Sequence, residues 1–436
     1  MTVQSPPADM TGTAYLRLIL YAALIGIPAA LVAAGFLALV HVVEGWLWTD
    51  LPDALGADSP PWYLVLVLPV VGAVVVLLAR RLLPGDGGHE PLLGINASPT
   101  PVSFAPGVAL AALGTLAFGA VLGPEAPLIA LGSVVGMVVV KFVKVGKAGT
   151  AVLSTAGSFS AVSALFGGPL VAGILLIEAS IGLGAAAIPV LLPGLVAAGV
   201  GYLIFIGLGS WGGLNATVLE VPDLPPYTGV HLGDLVVSLG VGIVAGVVVV
   251  VIRRIARVVA AMDRPRRAGG LPMGLLLVAG GAAVGLLALV ADWLGADSQD
   301  VLFSGQSSLP VLVDQPTAKI VLILLVAKGL GYAVCLGCGF RGGPVFPAIF
   351  LGVALASLAE VIFNISPTLT IAVGAAAGMA AMTRLLFASL LFALLLDGLG
   401  GLDAIPVAVL ACAGAWVVVH ALEPDKPAPA PAPTPT

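Results

Sequence analysis

The sequence predicts an all-α polytopic membrane protein, and its composition and its interrupted apolar segments carry that prediction. Of the 436 residues, 60% are hydrophobic and 9% are charged, and the mean hydropathy is +1.16. A chain of this composition is solvated mainly by lipid. Glycine and proline interrupt several of its long apolar segments, which is typical of re-entrant or discontinuous helices. The net charge of −5 is spread over loops and favours no nucleic-acid partner.

The apolar segments lie between two polar ends. Residues 1–12 and the Pro/Ala-rich residues 423–436 are predicted to be disordered, because neither end can bury a core. Residues 13–422 are predicted to form one transmembrane domain. Its first apolar run, from Leu18 to Val43, is too long for the core of a signal peptide and is expected to stay as a helix. The apolar segments are 16–43, 62–83, 107–140, 150–178, 183–209, 232–252, 271–292, 318–336, 344–363, 368–397 and 403–420.

A repeated motif organises this domain. The pattern G-P-x-x-P-x-I-x-L-G occurs at 123–132 and again, without gaps, at 343–352. An apolar segment ending in an acid also recurs at nearly the same spacing, with Glu178 in the first copy and Asp397 in the second. Matched Gly/Pro-interrupted segments in two halves of a membrane protein indicate a transport site. We therefore expect a first half at about 13–250 and a second half at about 270–422. The motif alone leaves open whether the halves are parallel or inverted.

A basic stretch at 253–267 is predicted to connect the halves. It contributes six of the 17 Lys and Arg residues, so the positive-inside rule places it in the cytoplasm of a protein of the cell (inner) membrane. An anchor of this kind is preferred to a site for lipid headgroups or nucleotides. The six residues are Arg253, Arg254, Arg257, Arg264, Arg266 and Arg267.

Glu125 is the principal candidate functional residue. An ionised carboxylate in hydrocarbon costs about 2.5–3.5 kcal/mol even on lenient insertion scales, so this side chain is expected to face a protein-lined, partly aqueous path. Proline-initiated helix starts present free N–H groups and partial positive charge, and each Gly-Pro-x-x-Pro segment is therefore a candidate anion cradle. Glu125 would occupy the cradle when charged and leave it when protonated or displaced. The alternative is a helix-capping acid without a transport role.

A second candidate lies in the glycine-rich turn at 85–91. His89 can donate a hydrogen bond and titrates near neutral pH, and Glu90 beside it is a candidate proton acceptor. The alternative is an ordinary solvated loop.

Taken together, these motifs resemble those of the CLC family of chloride channels and proton-coupled anion transporters, from about Leu18 to Leu422. The segment at 123–127 is similar to the family's G-K/R-E-G-P motif, and the segment at 342–347 to its G-G-x-F-x-P motif. The resemblance implies a CLC-like inverted repeat of tilted, broken and re-entrant helices. It also implies a homodimer with an anion pathway in each subunit, gated by Glu125. The implied partners are a small inorganic anion such as chloride, protons and the lipid bilayer, with no cofactor and no metal. The implied anion-binding residues are Gly88, His89, Glu90, Gly123, Pro124, Ala126, Gly343, Pro344, Val345 and Phe346.

The sequence also departs from the family pattern. His89 stands where a serine is usual, Pro344 has no N–H, and Val345 replaces the phenylalanine of the second motif. The family's tyrosine near the C-terminus has no match. Ala179 occupies the position of the internal proton-transfer acid, so Glu178 beside it and His89 are the proton-transfer candidates. These departures favour anion transport in general over chloride in particular, and they leave exchange or channel behaviour open.

Three alternatives follow. One is a fluoride exporter of the same fold, although the motif changes of that branch are not clearly present. Another is a transport-inactive scaffold that kept the fold, against which the proline-framed Glu125 argues. The third is an intramembrane enzyme, and the sequence lacks H-E-x-x-H, a Ser/His pairing or an Asp-rich metal motif.

Overall fold

The computed structural model describes residues 12–95, 98–179, 188–210, 212–214, 220–263, 272–314 and 317–423. This part of the chain is built from helices. The helices of the first half are α1 (Gly12–Gly45), α2 (Leu51–Ala54), α3 (Trp62–Leu82), α4 (Ala105–Leu116), α5 (Glu125–Val140), α6 (Lys147–Leu165), α7 (Pro169–Glu178) and α8 (Ile188–Ile206). The helices of the second half are α9 (Leu232–Ala261), α10 (Met273–Leu294), α11 (Ser298–Val301), α12 (Leu309–Val313), α13 (Ala318–Cys338), α14 (Val345–Phe363), α15 (Pro367–Thr383), α16 (Leu386–Asp397) and α17 (Ile405–Leu422).

Among the described residues, eight helical segments are long and apolar enough to cross a membrane. They are Gly12–Ala54, Trp62–Leu82, Lys147–Leu165, Leu232–Ala261, Met273–Leu294, Ala318–Cys338, Val345–Phe363 and Gly401–Leu422. Apolar side chains on the outer faces of α1, α3, α9 and α10 are exposed, as expected for surfaces that contact lipid. The chain is an integral membrane protein.

The long apolar segments are broken, as their glycines and prolines predict. Segment 107–140 divides into α4 and α5, segment 150–178 into α6 and α7, and segment 368–397 into α15 and α16. Pro124 is the residue before α5, and Gly168 and Pro169 stand at the start of α7. Because proline has no N–H and fixes φ, it begins a new helix more readily than it continues an old one. These breaks place helix ends inside the protein.

The two halves are an inverted repeat. The starts of α1 and α9, of α5 and α14, and of α6 and α15 are separated by one and the same length of chain. The equivalent residues Gly123 and Gly343 pair with each other in an isolated antiparallel bridge. Pairing of equivalent residues in opposite directions requires a local two-fold axis between the halves. The sequence left parallel and inverted repeats open, and the structure shows the inverted arrangement.

The predicted boundary between the halves is wrong. The helix equivalent to α1 is α9, which begins at Leu232, so the halves divide between Ile206 and Leu232 and not at 253–267. Helix α9 continues to Ala261 and carries Arg253, Arg254 and Arg257 on its last turns, while Arg264, Arg266 and Arg267 lie outside the described residues. Charged residues mark where a helix leaves the lipid, but the helix can continue past that point because a long arginine side chain keeps its charged group in water.

The boundaries of the two predicted terminal segments, at residues 12 and 423, also differ from the structure. Helix α1 starts at Gly12, and residues 1–11 lie outside the described part of the chain. Glu423 was assigned to the disordered tail, but its side chain is only 8% exposed and is paired with arginines of α9. Residues 424–436 are not among those described.

Glycines bring the helices of each half into close contact. A Cβ atom at Gly132 of α5 would lie 2.4 Å from the carbonyl oxygen of Gly157 on α6. The equivalent pair, α14 and α15, has the same arrangement, because a Cβ at Gly352 would lie 2.1 Å from the carbonyl oxygen of Gly374. Small residues of this kind allow membrane helices to pack backbone against backbone. This packing holds α5 and α14 rigidly, and both helices begin at the candidate site.

Candidate functional site

The site lies where the two copies of the repeated motif meet. The Gly123 N–H donates to the Gly343 carbonyl at 2.8 Å, and the Gly343 N–H donates to the Gly123 carbonyl at 2.6 Å. These reciprocal bonds hold the N-terminus of α5 against that of α14 in the protein interior. Two helix N-termini with their partial positive charges therefore converge on one point, as expected for an anion site.

The carboxylate of Glu125 occupies this point. Glu125 is the first residue of α5, and it is 0% exposed. Its Oε1 accepts a hydrogen bond from the Val345 N–H, and the backbone N–H groups of Phe346 and of Glu125 itself also face the carboxylate. Its Oε2 is buried and has no hydrogen-bond partner among the described residues. The side chain thus crosses from the first half into the N-terminus of the second. We call the Val345 and Phe346 N–H groups, with the Gly343 backbone, the cradle.

The lack of a side chain at Gly343 makes room for this arrangement. A Cβ atom there would lie 2.0 Å from Cδ of Glu125, and one at Gly123 would lie 2.1 Å from Oε2. Neither distance is compatible with a real Cβ atom, so both glycines are required for the observed position of the carboxylate.

A tyrosine supports the cradle from α13. The Tyr332 hydroxyl is fully buried and donates a hydrogen bond to the Pro344 carbonyl at 2.7 Å. Pro344 is the residue that precedes α14, so this bond fixes the turn that presents Val345 and Phe346. Pro344 has no N–H, as noted from the sequence, but the next two residues supply the donors that face Glu125.

Three phenylalanines form an apolar wall beside the cradle. The ring centroids of Phe166 and Phe392 are 4.7 Å apart, and each lies 5.9 Å from that of Phe346. All three rings are buried. They come from the end of α6, from α16 and from α14, so both halves contribute to the wall. It excludes water from the surroundings of the carboxylate and strengthens the electrostatic interactions there.

One cavity approaches the cradle from the end of α1. This glutamate cavity has a volume of about 320 Å³, and its lining includes His41, Glu44 and Glu220. It also reaches Leu122 and Pro124, which flank the Gly123 bridge. The described ionisable residues in its lining are thus two carboxyl groups and a histidine.

A second cavity lies at the end of α9. This arginine cavity has a volume of about 350 Å³, and its lining includes Arg253, Arg384, Glu178 and Gly94. Because α1 and α9 are equivalent helices of an inverted repeat, their C-terminal ends face opposite sides of the membrane. The two cavities therefore approach the protein interior from opposite sides.

The loop that carries His89 is tied to the second half by arginines. Arg80 donates to both carboxylate oxygens of Asp86, at 2.9 and 3.0 Å, and to the Gly339 carbonyl at 2.9 Å. The buried Arg341 contacts the same carboxylate and donates to the Asp86 carbonyl at 3.0 Å. Burial raises the pKa of Asp86, but the hydrogen bond from Arg80 and the charges of both arginines outweigh it, so the pKa is lowered.

His89 and Glu90 lie outside the cradle. His89 is half-buried and hydrogen-bonds the Gly94 backbone, while Glu90 is exposed and lies 3.9 Å from Arg341. Among the described residues, no hydrogen bond or ion pair joins His89 to Glu125. Burial lowers the pKa of His89, and the charge of Arg341 lowers it further. The hydrogen bond with the Gly94 backbone and the negative charge of Glu90 raise the pKa, but they do not outweigh burial. This imidazole is therefore neutral at pH 7.

Glu178 caps a helix. Its carboxylate accepts hydrogen bonds from the first three N–H groups of α16, those of Leu386, Phe387 and Ala388, at 3.0, 2.9 and 2.7 Å. The equivalent acid of the second half, Asp397, is buried, and neither of its oxygens has a hydrogen-bond partner in the described part of the chain. The two halves therefore share their arrangement of helices, but these two acids differ in their hydrogen bonding.

The structure thus brings one group of predicted residues together and leaves the other apart. Gly123, Glu125, Gly343, Val345 and Phe346 meet at the cradle, and Pro124 and Pro344 precede its helices. Ala126 is half-buried one residue along α5. Glu178 lines the arginine cavity, and Gly88 lies beside Val108 of α4.

Sequence reasoning missed several residues that complete the site. They are Tyr332, Arg341, Phe166, Phe392, Arg384 and, as a cavity residue, Arg253. A lone tyrosine in an apolar helix needs a partner for its hydroxyl, and an arginine in an apolar segment needs a pairing acid. Those two signals were present in the sequence.

Comparisons with known proteins agree with this architecture. The model of the voltage gated chloride channel family matches residues 90–420. The putative ion-transport protein YfeO of Escherichia coli (strain SMS-3-5 / SECEC) is 30% identical over 359 residues, covering 78% of each chain. A slow cyanobacterial Cl⁻/H⁺ antiporter has a similar structure, with a TM-score of 0.75 and 20% identity over 93% of this chain and 95% of its own. A CLC-type fluoride/proton antiporter matches with a TM-score of 0.69 and 21% identity, over 95% and 99% of the two chains. The chain belongs to the voltage-gated chloride channel (CLC) family.

Proposed function

We propose that this protein transports small inorganic anions across the membrane and that Glu125 is its gate. The observation that carries the proposal is the position of the Glu125 carboxylate, which is fully buried against the N–H groups of Val345 and Phe346. A carboxylate in that position is a tethered substitute for a free anion. The same donors bind a transported anion when the side chain is protonated or displaced.

The two cavities support a path through the cradle. The glutamate cavity reaches Pro124 beside Glu125, and the arginine cavity lies on the opposite side. The Glu125 carboxylate is fully buried in the cradle, so an anion that crosses there takes the point that Glu125 occupies. Movement of this one side chain is enough to open the path.

Protonation of Glu125 would couple proton movement to anion movement. A neutral carboxyl group binds the cradle less well than a carboxylate, so a proton arriving at Glu125 frees the site. Glu178, which lines the arginine cavity, and His89 are the candidates for delivering protons from that side. Without proton delivery, the same gate would operate as a channel.

We also propose a homodimer with one pathway in each subunit. Glu125 and the cradle residues Gly343, Val345 and Phe346 all come from one chain, so one subunit is sufficient for a pathway. The arginines at the end of α9 favour a cytoplasmic arginine cavity in a cell-membrane protein. Crosslinking of purified protein tests the dimer, and protease accessibility of the segment after Ala261 in inverted vesicles tests the orientation.

Anion efflux from liposomes tests the transport function. Chloride and fluoride efflux are compared while the external pH is recorded, for the native protein and for Glu125→Gln. Opposed anion and proton movement that is lost in the variant indicates exchange, and anion movement alone indicates a channel. Faster fluoride than chloride movement indicates a fluoride exporter. No movement of either anion would refute the proposal and favour a transport-inactive scaffold.

A further inference from the structure

A basic surface lies where α1 begins and where α5 is joined to α6. The connection at 141–147 carries three exposed lysines, and the side chain of Phe142 between them is 82% exposed. Val143 of the same connection packs against the apolar cluster that contains Leu18 of α1, which brings the exposed Arg17 to this surface. We call this surface the basic patch, and it consists of Arg17, Lys141, Phe142, Lys144 and Lys147.

The basic patch has no acidic partner in the helices around it. Residues 10–43 and 126–177, which include most of α1 and α5 and all of α6, contain no Asp or Glu. Helix α8, which packs against α1 and α6, contains none either. Among the ion pairs of the described residues, none includes a cation of the patch. Four exposed positive charges therefore have no counter-ion in this part of the chain.

The patch lies at the level of the lipid headgroups. Helix α1 begins one of the segments that are long and apolar enough to cross a membrane. Leu16 and Leu20, close to Arg17 on α1, are 60% and 64% exposed, as expected for side chains that contact lipid. Basic side chains near the end of a membrane helix extend to the headgroups, and an exposed aromatic ring is stable at the same boundary. Because α1 and α9 are equivalent helices of an inverted repeat, the start of α1 lies on the side where α9 ends.

The second half of the repeat has no such patch. The equivalent connection joins α14 to α15, and it packs an equivalent pair of helices. Its residues show that the fold itself does not require cations at this turn. At the positions that the repeat makes equivalent to the four cations stand Val237, Val361, Asn364 and Pro367.

We propose that the basic patch binds the headgroup of an anionic phospholipid of the surrounding leaflet, with Phe142 among the adjoining acyl chains. Clusters of four or more Lys and Arg at the end of a membrane helix attract anionic lipids. Lysine ammonium groups on flexible stems donate to phosphate oxygens, and three of them can reach one headgroup. The exposed phenyl ring and the leucines beside the cations favour a lipid over a soluble phosphate. Helix α5 separates the patch from Glu125 by about 24 Å, so this interaction lies outside the proposed transport path.

Lipid binding to the purified protein in detergent tests this proposal. Native mass spectrometry measures the apparent dissociation constants of phosphatidylglycerol and of phosphatidylcholine with the same acyl chains. The native protein is expected to bind the anionic lipid about tenfold more tightly than the zwitterionic one, and Lys141→Gln/Lys144→Gln is expected to lose about that factor. Equal affinities for the two lipids in the native protein would overturn the proposal.

The matched control removes two charges from other exposed positions. Arg81→Gln/Arg254→Gln changes the ends of α3 and α9 and is expected to keep the native affinity for phosphatidylglycerol. Equal losses of affinity in the two double variants would show a diffuse effect of net charge and would overturn the site. The thermal midpoint without added lipid is expected to be the same in all variants, because the replaced side chains are exposed and form no ion pair in the described part of the chain.

Phe142→Ala distinguishes a lipid from a soluble phosphate. This variant keeps all four cations, and it is expected to bind phosphatidylglycerol about threefold or more weakly, because it loses the contact of the ring with the acyl chains. Inorganic pyrophosphate is expected not to displace the lipid from the native protein. Displacement by pyrophosphate, together with native affinity in Phe142→Ala, would indicate a soluble ligand and contradict the proposal. Binding is measured without an ion gradient, so the result does not depend on whether the protein transports anions.

Discussion

Replacement of Gly343 by alanine tests whether Glu125 and the transported anion share one place. The new Cβ atom would lie 2.0 Å from Cδ of Glu125 and 2.3 Å from Oε1, so the methyl group would take the position of the carboxylate. The side chain of Glu125 must leave, and an anion is excluded from the same point. A charge-assisted hydrogen bond contributes about 1.5–3 kcal/mol, so loss of the bonds from Val345 and Phe346 predicts at least a tenfold fall in anion flux.

The decisive comparison uses Glu125→Ala as a second background. That variant removes the tethered carboxylate and is expected to keep or increase anion flux, whereas Gly343→Ala combined with it is expected to remain slow. Gly329→Ala is the control, because a Cβ at this buried glycine of α13 meets its nearest neighbour at an ordinary 3.7 Å. Flux is measured in liposomes, on variants whose gel-filtration profile and thermal midpoint match the native protein. Native-like flux in Gly343→Ala, or restoration of flux when Glu125→Ala is added, would show that Glu125 and the anion do not share this place.

Three further predictions concern the surroundings of the site. The fully buried Lys328 Nζ donates to the carbonyls of Asp300, Val301 and Leu302, so Lys328→Met is expected to lower the free energy of unfolding by about 2–4 kcal/mol. Denaturation in mixed micelles measures this change, with Lys319→Met at an exposed position as the control, and equal stabilities of the two variants would contradict the prediction. Burial lowers the pKa of His89 below its usual value near 6.5, so its positive charge appears only in acid. The increase of anion flux as the pH falls below 6.5 is therefore expected to be smaller in His89→Ala than in the native protein, and an unchanged pH profile would exclude a role for His89. Glu178→Gln removes the charge that caps α16, and if Glu178 delivers protons, proton flux falls more than anion flux; a parallel fall of both would indicate a structural cap alone.

The sequence was informative about this fold where local chemistry decides the structure. The Gly-Pro breaks and the repeated motif predicted broken helices in two halves, and the structure confirms both. The exact division between the halves was not predictable from charge. Arginines mark the membrane boundary, but α9 continues past them to Ala261 because their side chains pair with Glu423 and reach water.

The site was only partly predictable, for a physical reason. Glu125 and the cradle residues follow from two motifs, since helix N-termini and a buried acid carry their chemistry in the local sequence. Tyr332 and the phenylalanine wall depend on contacts between distant helices, which no local pattern specifies. Glu178 was recognised from its position at a helix end, but its contact with the N-terminus of α16 depends on the tertiary structure, because the two are far apart in the sequence.

Chloride binding to the native protein and to Glu125→Ala, measured by isothermal titration calorimetry, tests whether Glu125 competes with the anion for the cradle. A tethered carboxylate competes at a high effective concentration, so its removal is expected to increase affinity at the cradle by about tenfold or more. The gain should disappear when Gly343→Ala is added, because the methyl group fills the vacated position. Equal chloride affinity in the native protein and in Glu125→Ala would show that Glu125 does not occupy the anion's place.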